Sequence, residues 1–168
     1  MINQVLHHLP DDPAEGFPAH RSVFREFARV LKPGGVLTVS TCSQEQLRRG
    51  YWHYHLIPEA ADALRNRYLP LDELLEILDD CGLVHRGNFA PIDATVQGDA
   101  YFDPRGPLSR QWRDGDSVWS LVAEDRLNRA LSRLRRLDGR GELEAYVARN
   151  DAPRAHIGQV TVVFASRA

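Results

Sequence analysis

Apolar residues recur three and four apart through residues 20–32, where Val23, Phe24, Phe27, Val30 and Leu31 fall on one side of a helical projection. Arg21, Arg25, Glu26, Arg29 and Lys32 fall on the other side, so the spacing predicts an amphipathic helix. Lys32-Pro33-Gly34-Gly35 ends it, because proline cannot extend the hydrogen-bond ladder and glycine takes the positive φ of a tight exit turn. Residues 36–42 follow as a run rich in β-branched side chains without strict polar alternation, the pattern of a strand covered on both faces in a parallel sheet. Helix, turn and buried strand make the second half of a βαβ unit, which predicts a parallel strand just upstream. Ile2, Val5 and Leu6 supply that strand before His7-His8-Leu9-Pro10-Asp11 breaks the run.

The helical period returns in residues 70–82, with Leu71, Leu74, Leu75, Leu78 and Cys81 inward, Gly82 as the stop, and Asp72, Glu73, Glu76, Asp79 and Asp80 as a solvated face. Residues 83–94 read as the next strand, and residues 93–107, with Gly98, Pro104, Gly106 and Pro107, as loop. Asp116 or Ser117 is expected to cap a long helix running to Leu137, striped by Leu127, Ala130, Leu131, Leu134 and Leu137. A short helix over residues 142–149 and a strand of high β-propensity over residues 159–165 close the chain.

Three phrases, QVLHHLPDD, FREFARVLKPGG and VLTVST, stand in this order in residues 4–41. Together they resemble the middle of a class I S-adenosylmethionine (SAM) dependent methyltransferase of the small-molecule kind that includes ubiquinone-biosynthesis enzymes. The likeness runs from about the fourth strand of that fold to its last strand, covering nearly all of this chain and only the latter part of the family's domain. The family's glycine-rich loop after its first strand and the acidic residue ending its second, which hold most of the cofactor, have no counterpart here. The resemblance implies a truncated Rossmann-like α/β fold: a mixed sheet of two parallel strands and an antiparallel finish, with helices on both faces. Residues 1–168 would form a single partial domain with a helical insertion over about residues 109–150, before the last strand. It also implies SAM as cofactor, a small organic molecule as methyl acceptor, and Asn3 and Gln4 close to the methionine part of the cofactor. Without the family's first strand, the strand at the start of this chain would be an edge. A second copy in a symmetric homodimer, a separate N-terminal polypeptide, or a repacked helix from the insertion at residues 117–149 would cover it.

Candidate chemistry follows from position. The carboxyl ends of strands are where open α/β sheets bind ligands, which puts His7 and His8 near a site. Imidazole titrates near neutral pH, so His8 is a candidate general base and His7 a substrate contact; the alternative is that His7 packs under the loop and His8 caps a neighbour. Tyr51, Trp52, His53, Tyr54 and His55 are consecutive, so no single regular face buries them all. Either some line a cleft or lid over the acceptor, with His53 catalytic and Trp52, Tyr54 and His55 in contact with substrate, or they form a local hydrophobic cluster. Arg154 and His156 stand in a predicted loop, Arg154 as a further substrate contact. The histidines lack Cys or acidic residues at ligand spacing, so no metal site is assigned.

Composition narrows the classes. A chain of 168 residues, 43% hydrophobic and 26% charged, suits a soluble domain with a real core, and a formal charge of -2 gives no global basic field for nucleic acid. Arg126, Arg129, Arg133, Arg135, Arg136 and Arg140 are interleaved with Asp125 and Asp138 and followed by Glu142 and Glu144, the pattern of a solvated helix surface. Cys42 and Cys81 read as buried thiols in a reducing cytoplasm, and no apolar run is long enough to span a bilayer. The expected function is therefore SAM-dependent methyl transfer to a small molecule by the acceptor-side part of such an enzyme. Two alternatives stay open: a non-catalytic methyltransferase-derived partner, and a cofactor-independent cyclase or isomerase using His8, His53 or Tyr54.

Overall fold

The computed structural model describes residues 1–11 and 13–168; Asp12, inside the predicted proline-rich loop, and the side chain of Pro13 lie outside the described residues. In chain order the elements are β1 (Ile2–Asn3), α1 (Pro18–Val30), β2 (Val36–Thr41), α2 (Gln44–Arg49), α3 (Pro58–Arg65), α4 (Leu71–Asp80), β3 (Leu83–Phe89), α5 (Arg110–Arg113), α6 (Glu124–Gly139), α7 (Leu143–Asp151), α8 (Arg154–Ile157) and β4 (Thr161–Arg167). They fall into two compact units: Met1–Gln44 with Arg67–Ala90 and Val160–Ala168, and Glu45–Asn66 with Pro91–Gln159.

The first unit holds the sheet. Its strand order is β1-β2-β4-β3, with β1 parallel to β2 and β4 antiparallel to both of its neighbours. This is the mixed sheet with two parallel strands and an antiparallel finish that the resemblance implies. β4, the segment of highest β-propensity, lies between β2 and β3, where Val163 and Ala165 face Val39 and Leu37 in register. Phe24 from α1 and Leu74, Ile77 and Leu78 from α4 join Ile2, Leu37, Val39, Leu83, Val163 and Ala165 in one buried cluster. Gly34, at φ 76°, makes the turn from α1 into β2, and its N–H donates to Arg167 O at 3.1 Å, fastening the turn to the end of β4.

Three expectations are corrected here. The first strand extends only over Ile2–Asn3; Gln4 takes φ 50°, and Leu6–His8 forms a 3-10 turn instead of continuing the strand. β2 is not covered equally on both faces, since Leu37, Val39 and Thr41 are buried while Thr38 and Ser40 are half-buried. Val30 and Val36, which flank the glycine turn, are exposed at 56% and 59%, because the chain reverses there at the rim of the unit. Among the described residues β1 has β2 as its one strand neighbour.

The start of α1 shows how a loop substitutes for a local cap. Phe17 stands at the N-cap in the left-handed region and offers no side-chain cap, so Asp11, eight residues before Ala19, accepts instead. Its carboxylate takes the N–H groups of Ala19 and His20 at 2.7 and 2.8 Å and the His20 ring N–H as well. Burial alone would push the Asp11 carboxyl up, but these hydrogen bonds and the imidazole together hold it below its ordinary value. The stabilisation is complete above the ordinary carboxylate range, near about pH 4, and is lost as pH falls through the lower folded value. Asp11→Ala is expected to cost about 1–2 kcal/mol, with Asp11→Asn costing less, and to flatten the loss of stability below about pH 4 in urea melts.

The second unit is helical. Trp52, Tyr101, Val118, Leu134 and Leu143 are among its most deeply buried apolar side chains. Asp116 does cap an element, as predicted, but a different one: its carboxylate accepts Val118 N–H at 3.1 Å at the start of the 3-10 turn Ser117–Leu121. The long helix α6 begins later, at Glu124, and runs to Gly139. No helix among the described residues is long and apolar enough to cross a membrane.

Candidate functional site

In the first unit the carboxyl ends of β1 and β2 lie side by side, since Asn3 pairs with Ser40 in parallel register. Polar side chains gather there around Gln4. Its backbone N–H continues the ladder to Ser40 O at 3.0 Å, and then its positive φ turns the chain out of the sheet. A non-glycine residue in that region costs about 1–2 kcal/mol, so the surroundings must hold it there. They do so through the carboxamide. Gln4 Oε1 accepts from Tyr68 OH at 3.1 Å and from Cys42 Sγ at 3.4 Å, while Nε2 donates to Ser40 Oγ at 3.4 Å. Tyr68 in turn stacks on His7 with ring centroids 4.3 Å apart and accepts at its carbonyl from Gln44 Nε2. The next ring, His8, is 4.0 Å from His7 and exposed. Strain held by convergent hydrogen bonds at the strand ends of an α/β sheet is the pattern of a ligand site.

The second unit contains a separate cluster around His53. Residues 51–54 are all buried, and Trp52 and His53 are wholly inaccessible, so the packed-cluster alternative describes this run; His55 is exposed. A short 3-10 turn, Trp52–Leu56, makes this packing feasible by pointing successive rings into different neighbours instead of onto one face. The His53 ring lies 5.1 Å from Trp112, 5.6 Å from Trp52 and 6.1 Å from Trp119, and Nε2 meets Asp116 at 3.1 Å. Trp52 is held from both ends by Tyr101: its backbone N–H donates to the Tyr101 hydroxyl and its Nε1 to the Tyr101 carbonyl at 3.0 Å. Burial, and then the hydrogen bond to Asp151 at 2.5 Å, push the Tyr101 hydroxyl far above its ordinary pKa, so it stays a donor. Arg154 pairs with Asp151 through two contacts of 2.9 Å and lies over the rings of Tyr101 and Phe102. His53 Nδ1 and Trp119 Nε1 are buried with no hydrogen-bond partner among the described residues. In a native interior such groups are few and ask for an explanation.

Two groups of the predicted site residues therefore form. Gln4 and His7 meet through Tyr68, with Asn3 on the exposed side of β1 and His8 beside His7. Trp52, His53 and Tyr54 meet in the second unit, with Arg154 against Tyr101. Tyr68, Ser40 and Asp151 had no signal in the sequence, and Asp116 read only as a helix cap. The contacts that tie them to Gln4, His53 and Tyr101 span 36 to 64 residues, beyond any local pattern. Among the described residues no three His, Cys, Asp or Glu side chains come together as a metal group.

No protein-family model and no curated protein matches the chain. Its fold does match a solved structure from Anabaena variabilis called "putative methyltransferase from antibiotic biosynthesis pathway", at a TM-score of 0.65 and 20% identity over 86% of this chain. The chain spans 60% of the length of that protein. A structure from Galdieria sulphuraria called "putative sarcosine dimethylglycine methyltransferase" aligns at a TM-score of 0.43 and 18% identity, over 99% of this chain and 51% of that one. The first likeness is one of fold.

Proposed function

We propose that this chain is the acceptor-side part of a SAM-dependent methyltransferase that acts on a small organic molecule. The observation that carries the proposal is the strained, hydrogen-bonded Gln4 at the joined carboxyl ends of β1 and β2 in a methyltransferase-type sheet. The residues present fit one part of the cofactor. The oriented carboxamide of Gln4 and the exposed Asn3 next to it would hold its methionine end. After β1 the chain enters the Leu6–His8 turn, so the described residues place no glycine-rich strand-to-helix cradle there for the adenosine.

SAM, when bound, supplies a methyl group on a sulfonium already reactive enough that alignment is the main task left to the protein. Gln4 fixes position, and His8, exposed beside His7, takes the proton that an O–H or N–H acceptor gives up. His7, stacked on Tyr68, shapes the wall of the site.

Calorimetric titration with SAM tests this on the purified chain. Gln4→Gly removes the carboxamide and at the same time relieves the positive φ, so its net effect on stability should stay within about 1 kcal/mol. Binding should weaken by about tenfold or more. Absence of heat up to about 1 mM SAM, or a glycine variant that binds as well as the parent, overturns the assignment.

A further inference from the structure

The second unit carries a groove of about 430 Å³ between the segment that enters α3 and one face of α6. That volume lies in the range, about 300–1,000 Å³, in which small organic ligands are held. Its floor is apolar: Ile57, Ala60 and Ala130 are buried, and Leu121 and Val122 are half-buried. Along one rim stand Arg126, Arg129 and Arg133, spaced three and four residues apart and hence in one stripe of the helix.

The three arginines differ in what they already hold. Arg126 is paired with Glu59 at 2.6 Å, and Arg129 with Asp125. Arg133 has no carboxylate partner among the described residues. Its guanidinium sits 5.1 Å over the Tyr146 ring and gives one N–H to the His55 carbonyl at 3.3 Å, which leaves donors of a planar fork uncommitted. Three guanidinium groups against the carboxylates of Glu59 and Asp125 leave one positive charge on the rim. A solvated arginine face needs neither the apolar floor nor the unpaired fork. We propose that this groove binds an amphipathic carboxylate, with its head on Arg133 and its hydrocarbon body over Ile57, Leu121, Val122 and Ala130. The charge left over matches a singly charged head better than a dianionic phosphate. This inference stands apart from methyl transfer and holds or fails without it.

His55 offers an independent reporter. Although part of the residue is exposed, desolvation of the ring lowers its pKa, and Arg133 and then His53 lower it further by charge. An anion seated on Arg133 offsets that second influence, so the His55 ring should titrate at higher pH when the groove is filled.

The experiment titrates the full chain with decanoate, decanol and acetate by calorimetry, and follows the His55 ring by NMR. Decanoate is expected to bind about tenfold or more tightly than decanol, acetate not to register below about 1 mM, and the His55 titration to move upward with decanoate alone. Arg133→Gln should weaken decanoate binding by about tenfold while leaving decanol unchanged. Should that variant misfold, by its loss of tryptophan emission, Arg129→Gln and the ligand comparison on the parent chain decide instead; Arg129 is exposed and pairs only locally with Asp125. Equal binding of alcohol and carboxylate, binding that survives Arg133→Gln in a folded chain, or a His55 titration that decanoate leaves in place would each overturn the proposal.

Discussion

Trp52→Ala is expected to remove about 3–5 kcal/mol from the second unit, one of the two largest losses foreseen for any single change in this protein. The indole is wholly buried, so the change opens a cavity of indole size that the rings of His53 and Trp112 can only partly refill. It also strands the Tyr101 carbonyl that now accepts from Nε1. At about 2–4 °C per kcal/mol for a chain of this size, the melt should move down by on the order of 10 °C. Trp52→Phe keeps most of the volume and loses the hydrogen bond, so a fall of about 1–2 kcal/mol is expected. Thermal melts followed by the emission of Trp112 and Trp119 measure both, because all three tryptophans lie in the second unit. A melt unchanged by the alanine would mean that Trp52 stands in a mobile cover over a ligand and not in a packed interior.

That distinction marks how far the sequence could be read. Local period was a sound guide where the deciding contacts are local. The stripe of Val23, Phe24 and Phe27, the Lys32-Pro33-Gly34-Gly35 stop and the β-branched run of β2 each produced the expected element, and their order implied the parallel pairing of β1 with β2; the antiparallel finish came from the family resemblance. Boundaries went astray where a distant group decides them. β1 ends early because Gln4 is held at positive φ by Tyr68, 64 residues away, and α1 begins on a carboxylate contributed from the loop. The site shows the same limit more sharply. His7 and His53 could be picked out by residue type, yet what each does depends on Tyr68 and Asp116, which no spacing rule connects to them; Asp151 stands three residues before Arg154, but its other partner, Tyr101, is 50 residues away. For the aromatic run at residues 51–55 a cleft and a packed cluster both stayed open, because no single regular face buries them all; a 3-10 turn with neighbours on several sides lets residues 51–54 pack together.

Asp116→Ala should be nearly as costly as loss of the indole, at about 2–4 kcal/mol, although the side chain is small and its carboxylate is not wholly buried. Two roles end together. The turn Ser117–Leu121 loses the cap on Val118 N–H, about 1 kcal/mol, and Nε2 of the wholly buried His53 loses its acceptor, about 1–3 kcal/mol more. Since Nδ1 already lacks a partner among the described residues, the alanine variant would leave both ring nitrogens of His53 unsatisfied in the interior. A double-mutant cycle with His53→Phe separates the roles, because in that background the second cost has nothing left to act on. The coupling between the two positions is expected at about 1–3 kcal/mol, with the capping cost remaining in the phenylalanine background. Val118 N–H and His53 Nε2 meet different oxygens of the carboxylate, so Asp116→Asn keeps an acceptor for one of them and should cost about half as much as alanine. A coupling indistinguishable from zero would mean that His53 does not depend on Asp116 for its place, and would return the ring to the list of groups free to meet a substrate.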